Sequence, residues 1–179
     1  GHGADQVEAL LRQTHPGRSI RFARQEPQLG TGHAVMQAMP LLGDDGVVVV
    51  LSGDVPLINP QTLRQLTQAC DGHHLALLTL LPPDPTGYGR VVRDEQGRVQ
   101  AIVEQKDASD AQKSIGEVYS GVMAAPARLL RNWLSRLDPG NAQGEYYLTD
   151  VVAKAVADGV QVLALAVTDL AEVAGVNSL

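Results

Sequence analysis

The stretch Val47-Val48-Val49-Val50-Leu51 constrains this chain more than any other. Five consecutive apolar residues, four of them β-branched, favour a strand that is greasy on both faces, as a central strand of a parallel sheet must be. The run stops at Ser52-Gly53-Asp54, which sets a carboxylate just past the carboxyl end of a buried strand. In open α/β sheets, ligands bind at that rim. A hard oxygen donor such as Asp54 suits a divalent cation held against a phosphate. The stretch by itself leaves a second reading open, in which Asp54 only turns the chain before Pro56.

Elsewhere, segments of helical period alternate with short apolar runs, the pattern of an α/β fold. Asp5 to Gln13 reads as a helix with Val7, Leu10 and Leu11 on one face. Ile20 to Arg24 reads as a short strand, and Leu29 to Met39 as a helix entered through Gly30-Thr31-Gly32. Asn59 is a natural N-cap with Pro60 at the first helical position, and Leu63, Leu66 and Cys70 face inward. Leu75 to Leu81 is a second strand apolar on both sides, followed by a turn-rich loop from Pro82 to Gly89. Arg90 to Arg93 and Arg98 to Gln105 form a β-hairpin with charged residues on one side, and Val118 to Ala125 is a strand. The helix opened by Pro126 carries an apolar stripe of Leu129, Leu130, Trp133, Leu134 and Leu137, which makes Trp133 a core residue. A polar loop from Asp138 to Glu145, a helix from about Thr149 to Asp158 and a strand from Val160 to Val167 complete the pattern.

Composition narrows the function. The 179 residues suffice for one domain with a substantial core. Lys plus Arg 14 against Asp plus Glu 20 gives a net charge of −6, the wrong balance for a nucleic-acid or anionic-membrane surface. Aromatic residues make up only 3%, too few for a base-stacking platform. The lone Cys70 excludes an internal disulfide and a cysteine metal cage, and fits a reducing, cytoplasmic compartment. No apolar run approaches the roughly 20 residues of a membrane-spanning helix.

Glycines in Gln28-Leu29-Gly30-Thr31-Gly32-His33-Ala34 let the backbone approach a ligand at a helix N-terminus, or simply make a tight strand–helix turn. His33 reads as a first-turn packing residue rather than a base. The same chain then carries, in order, Gly53-Asp54-Val55-Pro56-Leu57, Asp84-Pro85-Thr86-Gly87-Tyr88-Gly89-Arg90, and Ile102-Val103-Glu104-Gln105-Lys106-Asp107-Ala108. Asn141-Ala142-Gln143-Gly144-Glu145-Tyr146-Tyr147-Leu148-Thr149-Asp150 and Gly175-Val176-Asn177 follow. With these six motifs the chain closely resembles, over its whole length, the uridylyltransferase domain of the bacterial bifunctional UDP-N-acetylglucosamine pyrophosphorylase/glucosamine-1-phosphate acetyltransferases.

The resemblance implies an α/β, Rossmann-like nucleotidyltransferase fold: a mixed, mostly parallel sheet with helices on both faces and a small β-rich insertion after about residue 85. It implies a reaction of UTP with N-acetylglucosamine 1-phosphate to give UDP-N-acetylglucosamine and pyrophosphate, with Mg2+. Gln25, Gly30 and Thr31 would then contact the uracil and its ribose neighbourhood. Ser52, Gly53 and Asp54 would meet the substrate, and Asp54 and Asn177 would hold the metal. Gly89, Glu104 and Thr149 would line the sugar-phosphate pocket. The residue types suit these tasks: an amide such as Gln25 both donates and accepts, and no covalent nucleophile is needed for an in-line displacement. Lys106 could add charge at the phosphates, but a lysine in a charged hairpin reads more readily as solvated surface.

Three departures qualify the match. The family's glycine-rich loop, with its arginine and lysine, has no counterpart, since the chain opens at Gly1-His2-Gly3, which the family carries after its second strand. Tyr119-Ser120-Gly121 stands where the family has Asn-Thr-Gly, which puts the acetamido contact at Tyr119 in doubt, and Ser52 stands where tyrosine is usual. The chain also stops at Leu179, before the acetyltransferase part to which acetyl transfer and homotrimer formation belong. The expectation is therefore a single uridylyltransferase domain over residues 1–179, truncated at both ends and inactive alone. Alternatives are a uridylyltransferase for another hexose 1-phosphate, or a non-catalytic nucleotide-sugar binding fragment. A dinucleotide oxidoreductase fares badly because no Gly-x-Gly-x-x-Gly follows a strand.

Overall fold

The best-buried strand, β2 (Leu75–Leu80), sits inside along its whole length in the computed structural model, which describes residues 3–175. Alternation along β2 sends Leu75 and Leu77 to one face of the sheet and Ala76 and Leu78 to the other. On the second face, Leu66 and Cys70 of α3 (Pro60–Cys70) cover it. On the first, α5 (Ala127–Leu134) and α6 (Val151–Ala157) bring Leu130, Trp133, Val151 and Ala155. Helices on both faces are thus confirmed. The start of α3 follows local chemistry: the Asn59 side chain accepts from the Gln61 amide at 2.9 Å, and Pro60 loses nothing at a position whose N–H would be unpaired anyway. Trp133 is fully buried and its indole N–H donates to Asp158 at 2.9 Å, so the apolar stripe of α5 packs as its spacing predicts.

The remaining strands are β1 (Val47–Val50), β3 (Arg90–Arg93), β4 (Val99–Val103), β5 (Val118–Pro126) and β6 (Val162–Ala166). The sheet order is β4-β3-β5-β2-β6, with β1 also paired to β5. The mixed α/β class holds, but the expected mostly parallel sheet does not. Among the described residues only β2–β6 is parallel; β1–β5, β2–β5, β3–β4 and β3–β5 are antiparallel. The cause is the placement of β5. β1, β2, β3 and β6 run one way, and the nine-residue β5 is inserted among them in the opposite sense, so like-directed strands seldom touch. The hairpin β3–β4 extends this same sheet through β3–β5.

Two further expectations are corrected. Among the described strands Val47–Val50 pairs with β5 alone, antiparallel rather than parallel, and all four valines are half-buried, while Leu51 is exposed. Valine suits either sense of pairing, and the run of β-branched residues cannot tell the two apart. Ile20–Arg24 forms no strand, because a strand needs a ladder and none of the described strands lies beside it. Helix α1 (Ala4–Thr14) forms as expected, yet Val7 and Leu10 are more than half exposed and no α1 residue is buried. Among the described residues no helix is long and apolar enough to cross a membrane.

One irregularity positions the site. β5 bends at Gly121, whose φ of +86° is a left-handed conformation that glycine tolerates, and its pairing with β2 slips between Leu77 and Thr79. β2 keeps one edge of β5 throughout. The other edge is shared: β3 pairs at Val118, and β1 pairs from Met123 to Pro126. Between the carboxyl end of β1 and the amino end of β3 the sheet therefore opens.

Candidate active site

That opening is a cavity of about 550 Å³. Its walls come from the start of α2 (Thr31–Ala38), the chain after β1 (Ser52, Gly53, Asp54), the turn before β3 (Gly87–Gly89), and Glu104, Tyr119 and Thr149. Eight residues anticipated from the sequence thus converge: Thr31, Ser52, Gly53, Asp54, Gly89, Glu104, Tyr119 and Thr149.

The α2 turn is fixed by close approach. Gly30 has φ +101°, and a Cβ there would come to 2.8 Å from both Glu145 Cβ and Tyr146 O. The absence of a side chain lets two backbone bonds form, Gly32 N–H to Tyr146 O and Tyr146 N–H to Leu29 O, both 2.8 Å. The Thr31 hydroxyl accepts from the Leu148 amide at 3.0 Å and so ties this turn to the 3₁₀ segment Leu148–Asp150. Gln25 lies behind the turn rather than on the cavity lining; its amide nitrogen donates to Gly30 O at 2.8 Å. His33 packs against Tyr146, ring centroids 6.2 Å apart, as a first-turn packing residue does.

Across the cavity, Thr149 is buried and its hydroxyl donates to Glu104 Oε1 at 2.8 Å. That bond fixes one carboxylate oxygen of Glu104. Tyr119 is buried, and its hydroxyl has no partner among the described residues. Burial first, and the charge of Glu104 second, push its phenol far above the ordinary tyrosine range, so it stays protonated. Asp54, by contrast, is exposed. It lies on the rim shared with a smaller cavity of about 300 Å³ that Val173 and Gly175 also line. Asn177, its expected partner, lies outside the described residues. Ser52 donates to Gly121 O at 3.3 Å and so anchors the post-β1 segment to the bend in β5.

Among the described residues the lining includes two carboxylates, Asp54 and Glu104, and no lysine, arginine or histidine. Lys106 is exposed, bonded to Gln143 Oε1 at 2.5 Å and off the lining. No group of three or more His, Cys, Asp or Glu suited to a metal occurs among the described residues. A single rim carboxylate is nonetheless a fitting donor for a cation that keeps several waters and takes its other ligands from phosphate. Two features escaped the sequence reading. Arg90, the last residue of one motif, is 1% exposed. Gly121 packs so closely on Ser52 that an added Cβ would overlap the Ser52 hydroxyl. A positive φ inside a strand leaves no periodic trace, and a lone arginine at a hairpin reads as surface.

Comparison with known proteins agrees with the resemblance seen in the motifs. Bifunctional proteins GlmU from Polaromonas sp. and Paracidovorax citrulli are both 61% identical, over 192 and 178 residues. The alignments cover 99% of this chain and 40% and 38% of those proteins. That of Albidiferax ferrireducens is 63% identical over 181 residues, 99% of this chain and 39% of its own length. The chain spans about two fifths of the length of these relatives. A crystal structure of UDP-glucose pyrophosphorylase complexed with UDP-glucose superposes with a TM-score of 0.66 over 90% of this chain and 64% of that one. At 17% identity it speaks for the fold alone. The nucleotidyl transferase pattern matches residues 2–170, a span that holds every described wall of the cavity, and the chain belongs to the nucleotidyl transferase family.

Proposed function

We propose that residues 1–179 are the uridylyltransferase domain of a longer protein that transfers UMP from UTP to N-acetylglucosamine 1-phosphate, giving UDP-N-acetylglucosamine and pyrophosphate. The observation that carries the reading is the pairing of opposites across one cavity: an exposed rim carboxylate, Asp54, faces the hydrogen-bonded Glu104–Thr149 pair. A phosphate oxygen of the sugar 1-phosphate bonds to the α-phosphorus of UTP as the bond to the bridging β-phosphate oxygen breaks. Pyrophosphate leaves, and the protein supplies position rather than a covalent step. Thr31 walls the uracil and ribose side, with Gly30, like Gln25 off the lining, shaping that turn and Gln25 holding it from behind. Ser52 and Gly53 carry Asp54 to the rim, and Asp54, joined by Asn177, would hold a magnesium ion. Bound there, the ion would neutralise phosphate charge. Gly89, Glu104, Tyr119 and Thr149 receive the sugar phosphate, Glu104 accepting from hydroxyls through its second oxygen. The proposal carries with it a cytoplasmic enzyme, homotrimeric when intact, with no nucleic-acid or membrane partner.

A second reading is kept by Tyr119: a bulky, protonated phenol in the sugar wall suits a different hexose 1-phosphate. One experiment separates the two. Pyrophosphate release from UTP by the intact protein is measured with N-acetylglucosamine 1-phosphate and with other hexose 1-phosphates, with magnesium and with chelator. Preference for the acetamido sugar supports the first reading and preference for another hexose the second. Absence of release with every sugar phosphate overturns both.

A further inference from the structure

We propose that Arg90 is a positioning residue for the sugar-phosphate wall, clipping the Gly87–Gly89 turn to the Glu104–Gln105 strand end through Gln105. This rests on the reading of the cavity as a sugar-phosphate site. Arg90 opens β3, where its backbone lies between Val103 of β4 and Val118 of β5. It is the one charged residue among the buried side chains of the described residues. No carboxylate lies within ion-pair distance of it among those residues, and its Nε has no hydrogen-bond partner there. A guanidinium held out of water without a direct ion pair is costly. Asp84, whose carboxyl is held below its ordinary range by hydrogen bonds from Thr86 first and by the charge of Arg90 after, acts on it only from beyond ion-pair distance.

What the guanidinium does make is local and specific. One terminal nitrogen donates to Tyr88 O at 2.5 Å, in the middle of the turn that lines the cavity. The other donates to Gln105 Oε1 at 2.7 Å. The same amide oxygen accepts from the Gly87 amide at 3.4 Å. The turn's last residue passes the order on, since Gly89 O accepts from the Tyr119 amide at 2.9 Å. Three lining segments, at 87–89, 104 and 119, are therefore held in register by one fork and one amide. A planar fork with divergent donors does this; a lysine ammonium on a flexible stem does not.

The test uses the intact protein with UTP and the sugar 1-phosphate it accepts. Arg90→Lys and Gln105→Met each raise KM for the sugar phosphate about tenfold, with KM for UTP changed less than about twofold. Gln105→Glu, which keeps an acceptor for Arg90, stays near wild type. If Arg90→Lys fails to fold, the half-buried Gln105 pair carries the test alone. Equal movement of both KM values, no movement at all, or loss in Gln105→Glu as large as in Gln105→Met overturns the inference while leaving the proposed function standing. If the wild type turns over no sugar phosphate, the proposed function falls, and amide hydrogen exchange of the ligand-free protein decides the clip. Faster exchange confined to residues 84–90 in Gln105→Met, but not in Gln105→Glu, upholds it, and unchanged exchange overturns it.

Discussion

The two walls of the cavity are built by different means. The Glu104–Thr149 wall is drawn from buried backbone: Thr149, Tyr119 and Gly89 are all inside, and a hydroxyl–carboxylate bond of 2.8 Å fixes Glu104. The Asp54 wall hangs from the end of β1, with Asp54 exposed and, among the described residues, the longer Ser52–Gly121 and Val55–Ser52 bonds of 3.3 Å behind it. Buried hydrogen-bonded groups hold their geometry without a ligand, whereas an exposed carboxylate takes up a defined geometry when it meets a cation. One wall is preformed for shape, and the other is left free for charge. The stability of the fold should therefore depend on the first wall and its activity most steeply on the second.

The sharpest break of that contrast is Asp54→Ala. Turnover of the intact protein should fall about 10³-fold, roughly 4 kcal/mol of transition-state stabilisation. Thermal midpoint should move by no more than about 2 °C, since the side chain is exposed and makes no hydrogen bond or ion pair with the described residues. A large drop in midpoint with modest loss of rate would reverse the assignment of the walls. Next comes Gly121→Ala, which forces a Cβ onto the Ser52 hydroxyl at a φ of +86°. A stability loss of about 2–3 kcal/mol is expected by calorimetry, together with impaired turnover, because the buried bend then pushes on the exposed wall. Unchanged stability would show that the two walls are not in contact through this glycine.

Thr149→Val keeps the volume and deletes the donor to Glu104. A loss of about 1 kcal/mol in stability and a rise of about fivefold in KM for the sugar phosphate should appear, with KM for UTP unmoved. The smallest effect belongs outside both walls. Arg93 donates twice to Glu117, at 2.7 and 2.8 Å, and these bonds hold the Glu117 carboxyl below its ordinary value against the opposing effect of burial. A depressed carboxylate stabilises fully above the unfolded value of about 4.3 and loses that contribution as pH falls through the lower folded value. Glu117→Gln should flatten the acid limb of midpoint against pH and cost about 1 kcal/mol or less at neutrality. Parallel acid limbs in the two proteins would refute the linkage.

How much of this the sequence disclosed follows the same division. Burial leaves a period, so β2, α3 with its Asn59 cap, and α5 with Trp133 were legible in outline and in detail. Pairing leaves none. The four valines of β1 read as a parallel strand, and Ile20–Arg24 as a strand, because an apolar run records what a residue can do and not what lies beside it. The lining residues were reached through motif order, and eight of them do converge. Gln25, expected to contact the uracil, lies behind the turn instead and off the lining. Arg90 and Gly121 were invisible as participants, since both act through contacts between segments far apart in the chain.

The bond from the Leu148 amide to the Thr31 hydroxyl has a consequence in time as well as in space. Its partners are 117 residues apart, and the Gly30–Gly32 turn has its docking surface at Tyr146 at a similar remove. At a synthesis rate of about 5–20 residues per second, the turn exists for roughly 6–25 seconds before its partner is made. Throughout that interval the nascent chain carries this turn with nothing opposite it. The cavity is completed only when the Tyr146–Thr149 segment arrives, so its walls meet in a single step of synthesis rather than by increments along the chain.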